Sequence, residues 1–194
     1  MFWCWGIWVR VAVGTAASWR NIGLSKARQL CEGSNMVPFD LYLDGGREPL
    51  GTIRGSNARH EYGLKFMRVT GQRCCAYCGT DLTSNYQIWL TLVLDHVTPL
   101  KLCKQLRVPS EWVWDFSNTV LACAACNGFC NRYSPAFTIT SPGTRGAFCE
   151  LRDKIFDDRK RLIAARHEEE RQFFNGRPWE VSDVPLSEKL APGG

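Results

Sequence analysis

The stretch Leu94-Asp-His-Val-Thr-Pro-Leu100 (LDHVTPL) lies at the end of an almost unbroken apolar run, Ile88–Leu94 (IWLTLVL). The run predicts a buried β-strand that ends on the pair Asp95-His96, three residues before Pro99. A carboxylate and an imidazole are costly to bury unless they are paired or bound to a metal. The pair therefore either has partners elsewhere in the chain or lies at an exposed strand end.

Two pairs of cysteines with the spacing of metal ligands flank this stretch, Cys75-Ala-Tyr-Cys78 before it and Cys123-Ala-Ala-Cys126 after it. Two such turns present four thiolates to one tetrahedral zinc ion, which makes the site structural because no ligand position is left open. A folded insert between the pairs is acceptable, since the entropic cost of closing a loop grows slowly with its length. Cys74 is an alternative to Cys75, but only Cys75 has the x-x spacing with Cys78.

The remaining cysteines leave a disulfide framework open as an alternative. The chain has ten cysteines, of which those outside the two pairs are scattered: Cys4, Cys31, Cys74, Cys103, Cys130 and Cys149. Paired CxxC units in a chain of this size favour zinc and a reducing cytoplasm. The opening MFWCWGIWVRVAVG lacks a basic residue before its apolar run and is too short to span a bilayer. We therefore predict a cytoplasmic protein with no membrane association, with secretion, or a true start at Met36, as alternatives.

Composition indicates a globular protein with a mild preference for anionic partners. The 194 residues suffice for one well-filled domain with arms, or at most two small domains. A content of 45% apolar against 22% charged residues excludes a disordered chain. The net charge of +5 is compatible with nucleic acid. We divide the chain into an irregular N-terminal arm (1–55), a core (56–145) and a C-terminal long helix with a tail (146–194).

The pattern of apolar residues predicts an α+β core. A helix from an N-cap at Ser56 to a terminal Gly71 leads into the first cysteine pair. Residues 86–94 and 118–123 are predicted strands, residues 100–106 and 124–133 short helices, and residues 108–116 a loop with aromatic anchors. The strongest helix is predicted over 147–174. Its apolar stripe comprises Phe148, Leu151, Ile155, Leu162 and Ile163.

Four fragments in this order resemble the HNH endonuclease family, the zinc-stapled version of the ββα-metal (His-Me finger) fold. They are CAYCG (75–79), LDHVTPL (94–100), FSNTVLACAACN (116–127) and NRY (131–133). The resemblance spans roughly residues 71–133. It implies a β-hairpin and a short helix around a catalytic cation, held by a Cys4 zinc site and flanked by helices.

The resemblance also implies roles for four residues. His96 would be the general base that activates water, and Asp95 would be a ligand of a divalent cation. Asn118 would hold the hairpin so that the imidazole points at the water. Asn127 would be a second cation ligand through its amide oxygen, at a position where many members have histidine. Carboxylate and amide oxygens suit Mg²⁺ or another hard divalent cation, and a histidine with a pKa near about 6.5 suits base catalysis at neutral pH.

The resemblance makes DNA, in double-stranded form, the expected partner, and a homodimer or a larger nuclease assembly is compatible with it. Basic residues near the motifs are candidates for phosphate contacts: Arg73, Lys101, Lys104 and Arg132, with Arg68 and Arg107 beside them. A solvated charged surface is the alternative for each of them. His60 and His167 lie among charged residues of predicted helices, so both are expected to be solvated surface residues.

Two other functions compete with a metal-dependent nuclease. One is a zinc-stabilised nucleic-acid-binding module with the same fold but no activity, which the asparagine at position 127 favours and the intact Asp95-His96 pair opposes. The other is a thiol-redox protein using CxxC. Redox CxxC units usually lie at the start of a helix in a βαβ setting. No such unit precedes Cys75, and the second cysteine pair would be unexplained.

Overall fold

The computed structural model describes residues 37–53 and 58–180, which form an α+β fold with a two-stranded antiparallel sheet. The predictions for residues 1–36, for the N-cap at Ser56 and for the tail 187–194 lie outside the described residues. The described part of the chain begins with the 3₁₀ turns Pro38–Leu41 and Leu43–Gly46, followed by a π-helical turn Ala58–Gly63 that continues into α1 (Leu64–Thr70). The first strand, β1 (Leu92–His96), is preceded by α2 (Tyr86–Leu90) and followed by α3 (Leu100–Gln105), α4 (Ser110–Val113) and a 3₁₀ turn Phe116–Asn118. The second strand, β2 (Thr119–Cys123), is followed by α5 (Ala124–Phe129) and the long helix α6 (Arg145–Asn175).

The prediction of one strand over residues 86–94 was wrong in its first half, where α2 forms instead. The side chain of Asn85 accepts a hydrogen bond from the backbone N–H of Ile88 (3.0 Å) and so caps this helix. A local cap of this kind outweighs the preference of aromatic and β-branched residues for strands, which depends on context. The strand begins at Leu92, which lies opposite Cys123 of β2. The loop predicted over 108–116 contains the short helix α4.

The segment after α1 attaches the first cysteine pair to the sheet. α1 ends at Gly71 as predicted, with a φ of 74° that favours glycine. The next residue, Gln72, is fully buried, and its side-chain oxygen accepts a hydrogen bond from the N–H of Leu121 in β2 (3.2 Å). The N–H of Ala76 donates to the carbonyl of the same Leu121 (2.9 Å). The first cysteine pair is thereby held against the second strand.

The long helix α6 packs one face against the core. It begins after Thr144, whose side chain accepts a hydrogen bond from the N–H of Ala147 (3.2 Å). The predicted stripe was wrong at Leu162, which is 41% exposed. The buried face follows a continuous i, i+3/i+4 spacing that includes two arginines: Phe148, Cys149, Arg152, Ile155, Phe156, Arg159 and Ile163. Among the described residues, no helix has the length and apolar character that crossing a membrane requires.

The described part of the N-terminal arm packs on the same core. Phe39 and Tyr42 are buried, and the Tyr42 hydroxyl donates to the backbone carbonyl of Thr119 (2.6 Å). Asp115 accepts hydrogen bonds from the N–H groups of Leu50 (3.1 Å) and Gly51 (3.0 Å). Burial opposes ionisation of Asp115, but these bonds and those from Ser117 lower its pKa below the usual value. A carboxylate that holds its charge thus anchors the arm beside the turn before β2.

Candidate functional site

The two cysteine pairs meet in one cluster. The sulfurs of Cys75, Cys78, Cys123 and Cys126 all lie within 4.8 Å of one another, and the Sγ atoms of Cys78 and Cys123 are 3.9 Å apart. A tetrahedral zinc ion with Zn–S distances of about 2.3 Å would place its sulfurs about 3.8 Å apart. The cluster can therefore hold a metal ion such as zinc, as predicted. It contains Cys75 rather than Cys74.

The local backbone prepares these thiols for a metal. Gly79 has a φ of 76°, and its N–H donates to the carbonyl of Cys75 (2.9 Å), closing the first turn. In the second turn the N–H of Cys126 points at the Sγ of Cys123 (3.5 Å). Hydrogen bonding from Cys126 lowers the pKa of Cys123 to about 7, and hydrogen bonding from Cys123 lowers the pKa of Cys78. Hydrogen bonding from Cys123 also raises the pKa of Cys75 and of Cys126, so these contacts favour the metal-binding thiolate form at only two of the four sulfurs.

The prediction that His167 is a solvated surface residue was wrong. His167 lies on α6 and is half-buried, with its Nε2 atom 3.0 Å from the Sγ of Cys126 and its ring edge-on to Phe129 at 5.1 Å. The long helix therefore reaches the cysteine cluster. His60 is exposed, as predicted.

Asn118 connects the two strands at the end that carries the Asp-His pair. It is fully buried in the turn before β2. Its side-chain oxygen accepts from the N–H of Thr98 (3.0 Å), and its amide nitrogen donates to the carbonyls of Val113 (3.2 Å) and Thr98 (3.4 Å). Its own backbone carbonyl accepts from the N–H of Val97 (2.9 Å). These bonds hold the segment that directly follows His96.

His96 is the last residue of β1, opposite Thr119. Its ring lies edge-on to the indole of Trp114, with the ring centres 5.2 Å apart and an interplanar angle of 87°. Its Nε2 atom is buried and has no hydrogen-bond partner among the described residues. Burial lowers the pKa of His96 below its usual 6.5. The imidazole is therefore neutral at pH 7, which is the form that can accept a proton.

Asp95 has partners within the chain. It is 7% exposed, and its Oδ2 atom accepts a hydrogen bond from the Tyr77 hydroxyl (2.5 Å). The same oxygen forms an ion pair with the guanidinium of Arg159 (2.8 Å). Tyr77 lies between the two cysteines of the first pair, and Arg159 lies on α6. A buried carboxylate needs such pairing to remain charged. The Asp95 carboxylate is thus paired with two side chains that are distant from it in sequence.

The other predicted residues lie on segments before, between and after the two strands. Asn127 lies half-buried on α5, which packs against both strands. The four predicted phosphate-contacting residues are all exposed. Arg73 precedes the first cysteine pair, Lys101 and Lys104 are on α3, and Arg132 follows α5.

Three residues near the pair were missed in the sequence: Tyr77, Trp114 and Arg159. Arg159 carried a readable signal, because it lies seven residues after Arg152 and both fall on the buried face of a helix with a repeat of 3.6 residues. A charged residue at such a position requires a buried partner. The contact of Trp114 with His96 had no signal in the sequence, because α3 and the turn after it separate the two residues.

Together these elements place a neutral imidazole, a paired carboxylate and a thiol cluster around one small sheet. Such an arrangement can accept a proton, offer carboxylate oxygen to a cation and hold a structural metal. Comparison of the chain with protein-family models, with curated proteins and with solved structures finds no match.

Proposed function

We propose that the protein is a metal-dependent endonuclease of the HNH type that hydrolyses phosphodiester bonds in DNA. The observation that carries the proposal is the set of Asn118 hydrogen bonds to Thr98, which hold the segment directly after the Asp95-His96 pair. In the sequence this segment lies between the two cysteine pairs that form the cluster. A buried asparagine aiming a strand-end histidine is the arrangement that the HNH resemblance implies.

His96 is the general base of the proposed reaction. Its imidazole is neutral at pH 7 because burial lowers its pKa, so it can take a proton from water. Asn118 holds the backbone that follows the histidine, and the Trp114 indole limits rotation of the ring. Positioning of this kind lowers the entropic part of the barrier.

Asp95 and Asn127 would hold the catalytic cation. The donors present fit a hard ion such as Mg²⁺, which prefers oxygen, keeps several waters and takes one or two protein groups. When bound, such a cation neutralises charge on the phosphate and the leaving oxygen. Tyr77 and Arg159 both contact the Oδ2 atom of Asp95, and Oδ1 takes part in neither of these two contacts.

The proposal extends to the partners. Duplex DNA would be bound through its phosphates by the exposed cations Arg73, Lys101, Lys104 and Arg132, in keeping with the net charge of +5. The thiols of the cluster are free, which suits a zinc site. Pairing of two chains would place two such sites on opposite strands.

A zinc-stabilised nucleic-acid-binding module is the second candidate. The ion pair between Asp95 and Arg159 favours it, since a guanidinium already supplies the positive charge that a cation would bring to the carboxylate. On this alternative the polar residues of β1 serve stability alone.

The test is cleavage of supercoiled plasmid in Mg²⁺ by the wild-type protein, His96→Ala and His60→Ala. The exposed His60 is a matched control for the loss of an imidazole. Cleavage by the wild type and His60→Ala, with a loss of about a hundredfold or more in His96→Ala, supports the nuclease. Equal cleavage by all three proteins rejects His96 as the base. DNA binding without cleavage by the wild type supports the binding module.

A further inference from the structure

Arg159 makes polar contacts with three consecutive residues at the end of β1, Asp95, His96 and Val97. Its side chain is 2% exposed, and it is inserted from α6 between the strand end and the first cysteine pair. One terminal nitrogen, Nη1, donates to the backbone carbonyls of His96 (2.9 Å) and Val97 (2.9 Å). The other, Nη2, forms the 2.8 Å ion pair with Asp95.

The planar guanidinium group of Arg159 makes these simultaneous contacts possible. Arginine presents several N–H donors in a fixed plane, so a single side chain can bind a carboxylate and backbone carbonyls at the same time. A lysine ammonium is a point charge on a flexible stem and does not fix this geometry. The guanidinium of Arg159 also lies 5.3 Å from the centre of the Tyr77 ring. Its orientation is therefore set by the first cysteine pair as well as by β1.

We propose that Arg159 is a positioning residue of the nuclease site, which fixes the backbone at His96 and restricts Asp95 to one oxygen for the catalytic cation. The inference rests on the proposed function. Tyr77 assists, because its hydroxyl binds the same Oδ2 atom that Arg159 binds. Of the two Asp95 oxygens, only Oδ1 would then be available to a cation, which would compete with the neighbouring positive charge of Arg159.

This arrangement has opposite effects on two measurable quantities. The positive charge of Arg159 weakens cation binding at Asp95, because like charges compete for the carboxylate. Its hydrogen bonds to the carbonyls of His96 and Val97 speed the reaction, because they hold the general base in place. A residue that served stability alone would change neither quantity once the protein was folded.

The variants Arg159→Met, Arg159→Lys and Tyr77→Phe separate these effects, with Arg152→Met as a matched control. Arg152 is a second buried arginine of α6, and it binds the carbonyls of Ser117 (2.7 Å) and Gly45 (2.8 Å) instead of β1. For each protein, folding is checked by thermal melting and zinc content. Mn²⁺ binding is then measured by electron paramagnetic resonance, and kcat is measured on plasmid at saturating Mg²⁺.

We expect Arg159→Met to bind Mn²⁺ on the order of tenfold more tightly, since the competing charge is gone, although the Tyr77 hydroxyl still binds Oδ2. Its kcat falls by about tenfold or more, because His96 is no longer held. Arg159→Lys keeps the charge and binds Mn²⁺ as the wild type does, with a similar fall in kcat. Tyr77→Phe binds Mn²⁺ more tightly by a smaller factor. Arg152→Met leaves Mn²⁺ affinity unchanged.

A kcat in Arg159→Lys equal to that of the wild type would contradict the role of Arg159. Weaker Mn²⁺ binding in Arg159→Met or in Tyr77→Phe would also contradict it. Neither result would contradict the proposed nuclease activity. If Arg159→Met does not fold, Arg159→Lys and Tyr77→Phe decide the matter. A folded wild-type protein that neither cleaves DNA nor binds Mn²⁺ overturns the proposed function and, with it, this role of Arg159.

Discussion

The Nε2 atom of His167, on the long helix α6, lies 3.0 Å from the Sγ atom of Cys126 in the second cysteine pair. The two residues are 41 positions apart in the chain. Side chains that contact the ligands of a zinc ion tune its affinity. The C-terminal helix and the cysteine cluster are therefore coupled.

Replacement of His167 by alanine is expected to weaken zinc binding by about tenfold, the low end of the range for residues that contact a zinc ligand. The physical reason is the loss of the contact between Nε2 of His167 and Sγ of Cys126. The measurement is the rate and extent of zinc release to a colorimetric chelator. His60→Ala, the exposed control, is expected to release zinc as the wild type does. Equal zinc release from both variants would show that the contact contributes nothing to binding.

Removal of one cluster thiol by Cys78→Ser is expected to abolish stoichiometric zinc binding and to destabilise the fold strongly, because structural zinc contributes folding free energy on the order of 10 kcal/mol in small zinc modules. Cys149→Ser is the matched control. Cys149 is a buried free thiol on α6 that donates to the carbonyl of Gly46 (3.3 Å), a bond a serine hydroxyl can replace.

Zinc content by atomic absorption and the melting temperature are the two measurements. Zinc retained in Cys149→Ser and lost in Cys78→Ser supports a Cys4 zinc site. A wild-type protein that contains no metal but forms reversible disulfides within its CxxC pairs would instead favour the thiol-redox alternative.

Asn118→Ala is expected to cost about 2–4 kcal/mol of the free energy of unfolding, since it leaves buried backbone groups of Thr98 and Val113 without partners. Urea denaturation measures the change. The control is Asn85→Ala, which removes the exposed cap of α2 and should cost about 1 kcal/mol. If the nuclease proposal is right, plasmid cleavage falls in folded Asn118→Ala and is unchanged in Asn85→Ala. A similar cost for the two variants would contradict a central role for the Asn118 bonds.

The pH at which His96 titrates is expected to lie below 6.5, because burial disfavours the imidazolium. The folded-state pKa is depressed, so the associated stability is present in full above the unfolded value of about 6.5 and is lost as pH falls through the folded pKa. Nuclear magnetic resonance of the ring protons measures the titration. The chain has three histidines, so His60→Ala and His167→Ala assign the remaining signal to His96.

The same shift predicts that plasmid cleavage persists below pH 6.5, since the proposed base stays neutral there. A His96 signal that titrates at or above 6.5 would show that the ring is more exposed to water than the structure has it.

Several elements could be read from local pattern alone. The CxxC spacing predicted the cysteine cluster, Gly71 marked the end of α1, and the run before Cys123 predicted β2. The strand prediction over residues 86–94 failed because β propensity does not record whether a neighbouring strand is present. β2 pairs with β1 only from Leu92 to His96. The residues before Leu92 have no strand beside them in this sheet, and the Asn85 cap favours a helix there.

The sequence by itself determined the residues whose chemistry is local: the thiols at metal spacing, the Asp95-His96 pair at the end of an apolar run, and the period of the long helix. Only the tertiary structure decided that Arg159 and Tyr77 share one oxygen of Asp95 and that His167 reaches Cys126. Side-chain partners of this kind depend on how α6 packs against the sheet. Helical periodicity predicts which residues share a face, but it does not specify which buried groups that face meets.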